Sequence, residues 1–173
     1  MRPDDLPLVR RWLATPHVAR WFLAGSSVGE ELEHVRKSLT GVQPVEMLVV
    51  LDDGEPIGWC QWYRCEIDPE WADDVGAGPG DIGIDYAIGE ASRVGCGIGT
   101  ELVTALVRLV RSAHPDGAVV ADPDEQNVAS RRVLEKCGFE LVRIASLASE
   151  PTDDPMAIYR LPGMASTPPT PAG

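Results

Sequence analysis

Over the first forty residues apolar side chains recur at intervals of three and four, the spacing that gathers them on one face of a helix. In "RPDDLPLVRRWL" they are Leu6, Val9 and Leu13, with Asp4 placed to cap the first turn. "HVARWFL" and "SVGEELEHVRKSL" continue the pattern, the charges of the second falling on its wet face. Three helices are predicted. His17 then stands at a helix end, in a capping or packing role.

Beyond Val45 the period drops to two. "VEMLVVLDDGEPIGWCQWYR" alternates on both sides of an Asp-Gly pair and predicts a β-hairpin, with Trp59 in the core. The stretch 65–80, "CEIDPEWADDVGAGPG", carries Pro and Gly punctuation and reads as a loop. "DIGIDYAIGE" is a further strand, and Gly95 to Ser112 a glycine-rich loop running into a helix. "AVVAD" is a short buried strand, "NVASRRVLEKCGF" a helix closed at Gly138, and "FELVRIASLA" and "MAIYRLP" two last strands. Helices and strands interleave, so the class is α/β (α+β). One domain, residues 1–163, is expected, followed by a Pro-rich tail, residues 164–173, with too little to bury to be ordered.

Charge removes several classes of partner. Among 173 residues, 27 Asp and Glu face 15 Lys and Arg, for a net charge of −12. That balance repels phosphate backbones and anionic lipid, so neither nucleic acid nor a membrane is expected as partner, and cations are favoured. No segment approaches the ~20 consecutive apolar residues of a bilayer span, and "RPDDLP" is not a leader, which points to the cytoplasm. Cys60, Cys65, Cys96 and Cys137 are scattered, without CxxC pairs, so reduced thiols and no metal site are expected. His17, His34 and His114 lie far apart and none adjoins a nucleophile motif, which disfavours a hydrolytic triad.

The loop Gly95, Cys96, Gly97, Ile98, Gly99, Thr100 then carries the chemistry. Glycines let an anion approach the unpartnered amides of a first helical turn, which makes such a loop a phosphate cradle. It lacks the Lys of a Walker loop and has GxGxG in place of GxGxxG. A tight turn that merely starts a helix remains the alternative.

Four segments taken together, "PIGWCQWY", "GIDYAIGE", "GCGIGTELV" and "DPDEQNVASRRVLEKCGF", resemble in order and spacing the GCN5-related N-acetyltransferases (GNAT), in particular their aminoglycoside 6'-N-acetyltransferase branch. The resemblance covers roughly residues 4–161 and includes "TPHVARWF". It implies a mixed, twisted central sheet of six or seven strands flanked by helices, with acetyl-CoA in a V-shaped opening between the strands at 81–88 and 118–121. It further implies that amides of residues 95–100 hold the pyrophosphate, Thr100 adding its hydroxyl, and that the backbone of Tyr86, Ala87 and Ile88 pairs with the pantetheine arm. Asn127 matches an Asn that contacts the same arm, and is equally suited to cap the helix after it. The chain departs from the pattern at Val94, where Arg or Gln is usual, and at Leu134, where many members place a Tyr that protonates the leaving thiolate; Cys137, Tyr86 and Tyr159 are the substitutes in view.

An acceptor amine must lose a proton to attack the thioester, and the resemblance makes Asp85, in "GID", the carboxylate that holds or deprotonates it. The plainer reading of Asp85 is the polar face of a strand. Carboxylates are dense between Cys65 and Ser92, where no Lys or Arg occurs, and recur after the strand at 118–121 and near 150–154. Glu66, Asp73, Asp74, Asp85, Asp122 and Asp154, with Trp21 and Gln61, are the candidate acceptor contacts for a polycationic amine. A solvated acidic surface that only aids solubility is the alternative. The expected function is acetyl transfer to the 6'-amine of an aminoglycoside, by a monomer or homodimer. The rivals are acetylation of a lysine-derived siderophore precursor, whose branch tends to have His at Asp85, and a non-catalytic acyl-CoA-binding module.

Overall fold

The computed structural model describes residues 1–150 and 152–164; of the tail expected to be disordered, all but Met164 lies outside the described residues. A 3-10 turn, Pro3–Asp5, leads into α1 (Leu6–Leu13), and the Arg2 N–H donates to Asp5 Oδ2 at 2.7 Å, so that Asp5 and not Asp4 closes the entry. α2 (Pro16–Phe22) begins on a proline, and α3 (Val28–Leu39) on the capping box of Ser27 and Glu30. Val9, Trp12, Leu13, Val18, Leu32 and Val35 from these helices bury against Met47, Trp59 and Ala87 on one face of the sheet.

The sheet has six strands: β1 (Val45–Asp52), β2 (Glu55–Arg64), β3 (Ile82–Ile88), β4 (Val119–Ala121), β5 (Glu140–Ala145) and β6 (Met156–Leu161), in the order β1-β2-β3-β4-β6-β5. β3 and β4 are parallel and the remaining neighbours antiparallel, which is the mixed sheet expected. Between β1 and β2 the Asp53-Gly54 turn takes φ of 51° and 84°, the left-handed geometry a two-residue hairpin demands. The opposite face is covered by α5 (Ile98–Ala113) and α6 (Val128–Lys136), whose Leu102, Val103, Leu106, Val110 and Leu134 pack on Ile82, Ile84, Val119 and Tyr159.

Residues 65–80 are not the loop that their punctuation suggested. A 3-10 turn, Cys65–Ile67, is followed by α4 (Pro69–Val75), with Asp68 accepting from the Trp71 N–H at 3.1 Å and Gly76 closing the helix at φ 69°. Asp-Pro is a cap followed by the one helical position that favours proline, so the same residues start and stop a helix. Trp71, Ala72 and Val75 bury against Cys65, Val120, Leu147 and Ile158.

β3 and β4 pair at only two positions, Ile82 with Val119 and Gly83 with Val120. β3 then stays with β2 as far as the pair of Ile88 with Gly58, while β4 stays with β6 through Ala121 and Tyr159. The two halves of the sheet part, and the opening faces the N-terminal ends of α5 and α6. At its apex Asp81, 5% exposed, accepts from the backbone N–H groups of Gly78 and Ala118, both at 2.8 Å, and from Arg160 at 2.6 Å.

Candidate active site

Ile82 donates its N–H to Ala118 across the β3–β4 edge at 2.9 Å. Alternation along a strand then turns the backbone groups of Ile84, Tyr86 and Ile88 to the same edge, where β4 no longer runs beside them. The Ile88 carbonyl is met there by His17 Nε2, at 2.9 Å. Ala87, named with Tyr86 and Ile88 as a cofactor contact, turns the other way, its carbonyl lying over Gly58 of β2.

The glycine turn is open. Gly95 and Gly97 take φ of 79° and 89°, residues 91–97 are exposed, and a Cβ at either glycine would meet no atom within 4 Å. Gly97 is the N-cap of α5, so the unpartnered amides of a 16-residue helix start here. Cys96 keeps its Sγ within the turn, 3.8 Å from the carbonyls of Ser92 and Val94, and Arg93 pairs with Asp52 at 3.0 Å. A Cβ on Gly99 would lie 3.1 Å from Val133 of α6, so this glycine serves the close approach of the two helices. Ile98 and Thr100 are half-buried in the first turn. Asn127 accepts from the Ser130 N–H at 3.2 Å and caps α6. An open turn of bare amides beside an unpaired strand edge fits a ligand with a diphosphate and an extended amide-bearing arm.

On β3, Asp85 faces the α1–α3 side opposite Gln61, whose Nε2 donates to Oδ2 at 2.7 Å. Burial pushes the Asp85 carboxyl above its ordinary range, against the opposing pull of hydrogen bonds from Gln61 and Tyr63, with the charge of Glu31 raising it further. Asp122, just past β4, accepts from the Trp71 indole at 2.8 Å, yet burial pushes it up to about 8, with the charges of Asp85 and Glu150 adding. Glu150 is raised by burial and then by Asp85. None of these three belongs to an ion pair among the described residues.

The other predicted contacts divide differently. Glu66 pairs with Arg64 at 3.1 Å and accepts from the Gly80 N–H, which pull it down to about 2. Asp74 takes both the N–H and the hydroxyl of Ser149 on Oδ2, at 2.8 and 2.9 Å, and lies below the usual carboxylate range. Asp73 and Asp154 are exposed, and Trp21 is half-buried with the Arg20 guanidinium 4.4 Å over its ring. The fold thus gathers Asp85, Gln61 and Asp122, leaves Asp73 and Asp154 at the surface, and commits Glu66 and Asp74 to local ties. Glu150 belongs to the acidic run near 150–154 that was expected to converge here, whereas Tyr63 and Glu31 were not anticipated; Tyr63 was readable as the next residue after Gln61 on the same strand face.

Leu134 is fully buried in the core. Of the substitutes in view, the Tyr159 hydroxyl is buried, donating to Glu135 at 2.7 Å, and Cys137 sits beneath Thr104 and the Thr100 carbonyl. Tyr86 shares a 2.7 Å hydrogen bond with Ser130 Oγ across the opening, and burial raises its phenol. Among the described residues no group of three or more His, Cys, Asp and Glu could hold a metal ion, and no helix is long and apolar enough to cross a membrane.

The family model described as an acetyltransferase (GNAT) domain matches residues 2–147. The aminoglycoside N(6')-acetyltransferase type 1 of Klebsiella pneumoniae is 32% identical over 145 residues, 81% of this chain and 71% of that protein. The solved structure of AAC(6')-Ib in complex with ribostamycin and coenzyme A matches with a TM-score of 0.82 at 28% identity, covering 99% of this chain and 96% of that one. The lysine N-acyltransferase MbtK of Mycobacterium tuberculosis is 26% identical over 160 residues, 91% of this chain and 72% of that protein.

Proposed function

The chain belongs to the GNAT acetyltransferase family, and from that premise we propose that it acetylates the 6'-amine of aminoglycosides by direct transfer from acetyl-CoA. The observation that carries the reading is the conjunction on one strand of an open backbone edge, leading to a bare glycine turn, and a carboxylate held on the opposite side by Gln61 and Tyr63.

Bound acetyl-CoA supplies the acetyl group as a thioester. The amides of residues 95–99 hold its diphosphate, helped by the dipole of α5, while the Thr100 N–H is given to the Gly97 carbonyl; the N–H and C=O groups of Tyr86 and the N–H of Ile88, whose carbonyl His17 engages, receive its arm as an added strand. Asp85 receives the acceptor ammonium. A carboxyl raised by burial accepts a proton more readily than one in water, which frees the amine lone pair for attack. Asp122, aimed by the Trp71 indole, and Glu150 bind further ammonium groups, whose positive charge repays the mutual repulsion of the three carboxylates. Leu134 supplies no acid, and the ordinary thiol pKa, about 8.5, makes unassisted departure workable. The 26% identity with a lysine N-acyltransferase favours lysine-like acceptors as the second reading.

The test is thiol release from acetyl-CoA with kanamycin, with a lysine analogue, and with neither. Release with kanamycin alone supports the proposal. Release with the lysine analogue alone transfers the assignment to the second reading, and binding of the thioester without release to either makes the chain a binding module.

A further inference from the structure

β5 forms one edge of the sheet, beside β6, and its residues Glu140 to Ile144 are exposed without a break, as in no other strand. Three of these are apolar: Leu141, Val142 and Ile144 are 43%, 56% and 40% exposed. An edge presents unpaired N–H and C=O groups along its length, and apolar side chains there invite another strand. Charge on an edge ordinarily discourages such pairing, so the placing of Glu140 and Arg143 decides what this edge accepts.

The ladder with β6 fixes their faces. Leu141 stands opposite Tyr159 and Ile144 opposite Ala157, both in the core under α5 and α6, so these two apolar side chains share the α6 face. Glu140 stands opposite Arg160, which reaches the Gly76 carbonyl at the end of α4 at 3.3 Å, and Arg143 donates to the Asp74 carbonyl of the same helix. The register shift between Leu141 and Arg143 brings the two charges onto one face, where strict alternation would have separated them. Neither belongs to an ion pair among the described residues. Laid antiparallel to itself about a point between Leu141 and Val142, the strand sets Glu140 of each copy against Arg143 of the other, and Leu141 against Val142. Its order of charges is its own complement, so the matching edge is that of an identical chain.

We propose that β5 pairs antiparallel with β5 of a second copy, in a two-fold dimer with two Glu140–Arg143 ion pairs on the α4 face and the apolar side chains of both strands covered on the other. One strand of six residues buries less than a stable interface requires, and a net charge of −12 on each copy opposes approach, so the dimer is weak and reversible.

Sedimentation of the full chain without coenzyme, from about 2 to about 200 μM, is expected to move the mean mass from 18.7 kDa toward twice that value, with a Kd of about 10–100 μM. Glu140→Arg and Arg143→Glu each set like charges opposite and are expected to raise the Kd at least fivefold. An equimolar mixture of the two variants brings opposite charges together again at both positions and should recover the association of the parent. Val142→Lys, at the bulge, should abolish association by itself; all three sites are exposed, and circular dichroism checks that each variant is folded. A chain that stays at 18.7 kDa over the whole range overturns the dimer. Association that the variants leave unchanged, or a mixture no better than its components, removes it from β5. Each of these outcomes leaves the acetyltransferase reading intact, because thiol release does not enter the measurement.

Discussion

Asp81 is the tie at the apex of the opening, and replacing it by Ala tests whether the parting of the sheet is held there. The carboxylate accepts from the N–H groups of Gly78 and Ala118 and from Arg160, and β3 and β4 share only two residue pairs beside it. Two backbone donors to a charged acceptor are each worth about 1.5–3 kcal/mol, and the Ala118 N–H is left buried without a partner in the variant. The Arg160 side chain is 35% exposed, so its ion pair adds at most about 1 kcal/mol after screening. Removing the carboxylate also relieves its desolvation, which leaves a net loss of about 3–5 kcal/mol. In a domain of this size that lowers Tm by roughly 10–15 °C. Urea unfolding and scanning calorimetry measure both, with Glu46→Ala, an exposed carboxylate on β1, as the neutral comparison. A Tm within 3 °C of the parent would show that the apex is held by strand pairing and packing alone.

Three further outcomes are expected. Gly97→Val places a Cβ at φ 89°, at a cost of about 1–2 kcal/mol, and covers the amides that hold the diphosphate. Titration with coenzyme A by calorimetry should show at least tenfold weaker binding, whereas Gly54→Val in the hairpin turn, at φ 84°, should cost similar stability and leave binding intact; equal binding by both variants would remove the glycine turn from the site. Asp85→Asn should lower kcat/KM about 100-fold with the thioester KM within twofold. The acid limb of the pH profile, which burial places above the ordinary carboxylate range, should vanish with it, and a persistent limb assigns the proton to another group. Asp122 is raised to about 8 in the folded protein against about 3.9 unfolded, so the folded state holds the proton more tightly and stability contributed by this group falls as pH rises from about 4 to about 8. Asp122→Asn should therefore be more stable than the parent by about 1–2 kcal/mol at pH 8.5 and nearly equal to it at pH 4, by urea unfolding; a difference that is flat across pH refutes the assignment.

Local signals and tertiary ones were legible to different degrees. The change of period at Val45, the Asp53-Gly54 turn and the glycines before α5 act within a few residues, and each element they predicted is present. α4 was also written locally, in Asp68-Pro69 and Gly76, but the same residue types mark loops, and only the burial of Trp71 and Val75 under Leu147 and Ile158 decides between the two. The position of Asp85 beside Gln61 depends on the β2–β3 register, which alternation along the two strands constrains but does not set. The wet-face reading of the charges in "GEELEHVRKSL" fails at Glu31, which is half-buried and accepts from the Ser26 hydroxyl, because the spacing fixes which face turns inward and not what that face meets.

Acidic residues in one stretch of sequence end in opposite roles, and their environment separates them. Asp68 caps α4, Glu66 answers Arg64 and Gly80, Asp74 anchors Ser149, Asp81 ties the apex, and Glu90 takes Arg11 and the Trp12 indole. Donors that favour the charged form hold Glu66 and Asp74 below the ordinary range, so these carboxylates stabilise the fold at neutral pH and have little left to offer a ligand. Asp85, Asp122 and Glu150 show the reverse, each raised by burial first and by its acidic neighbours after. A cluster of that kind opposes folding, and under the proposed function the free energy of its mutual repulsion would be recovered when a polycationic acceptor binds. The surplus of negative charge is therefore not one property. Part of it caps helices and ties the frame of the opening, and the remainder, Asp85, Asp122 and Glu150, has no ion-pair partner among the described residues and so adds to the negative potential of the face it lines.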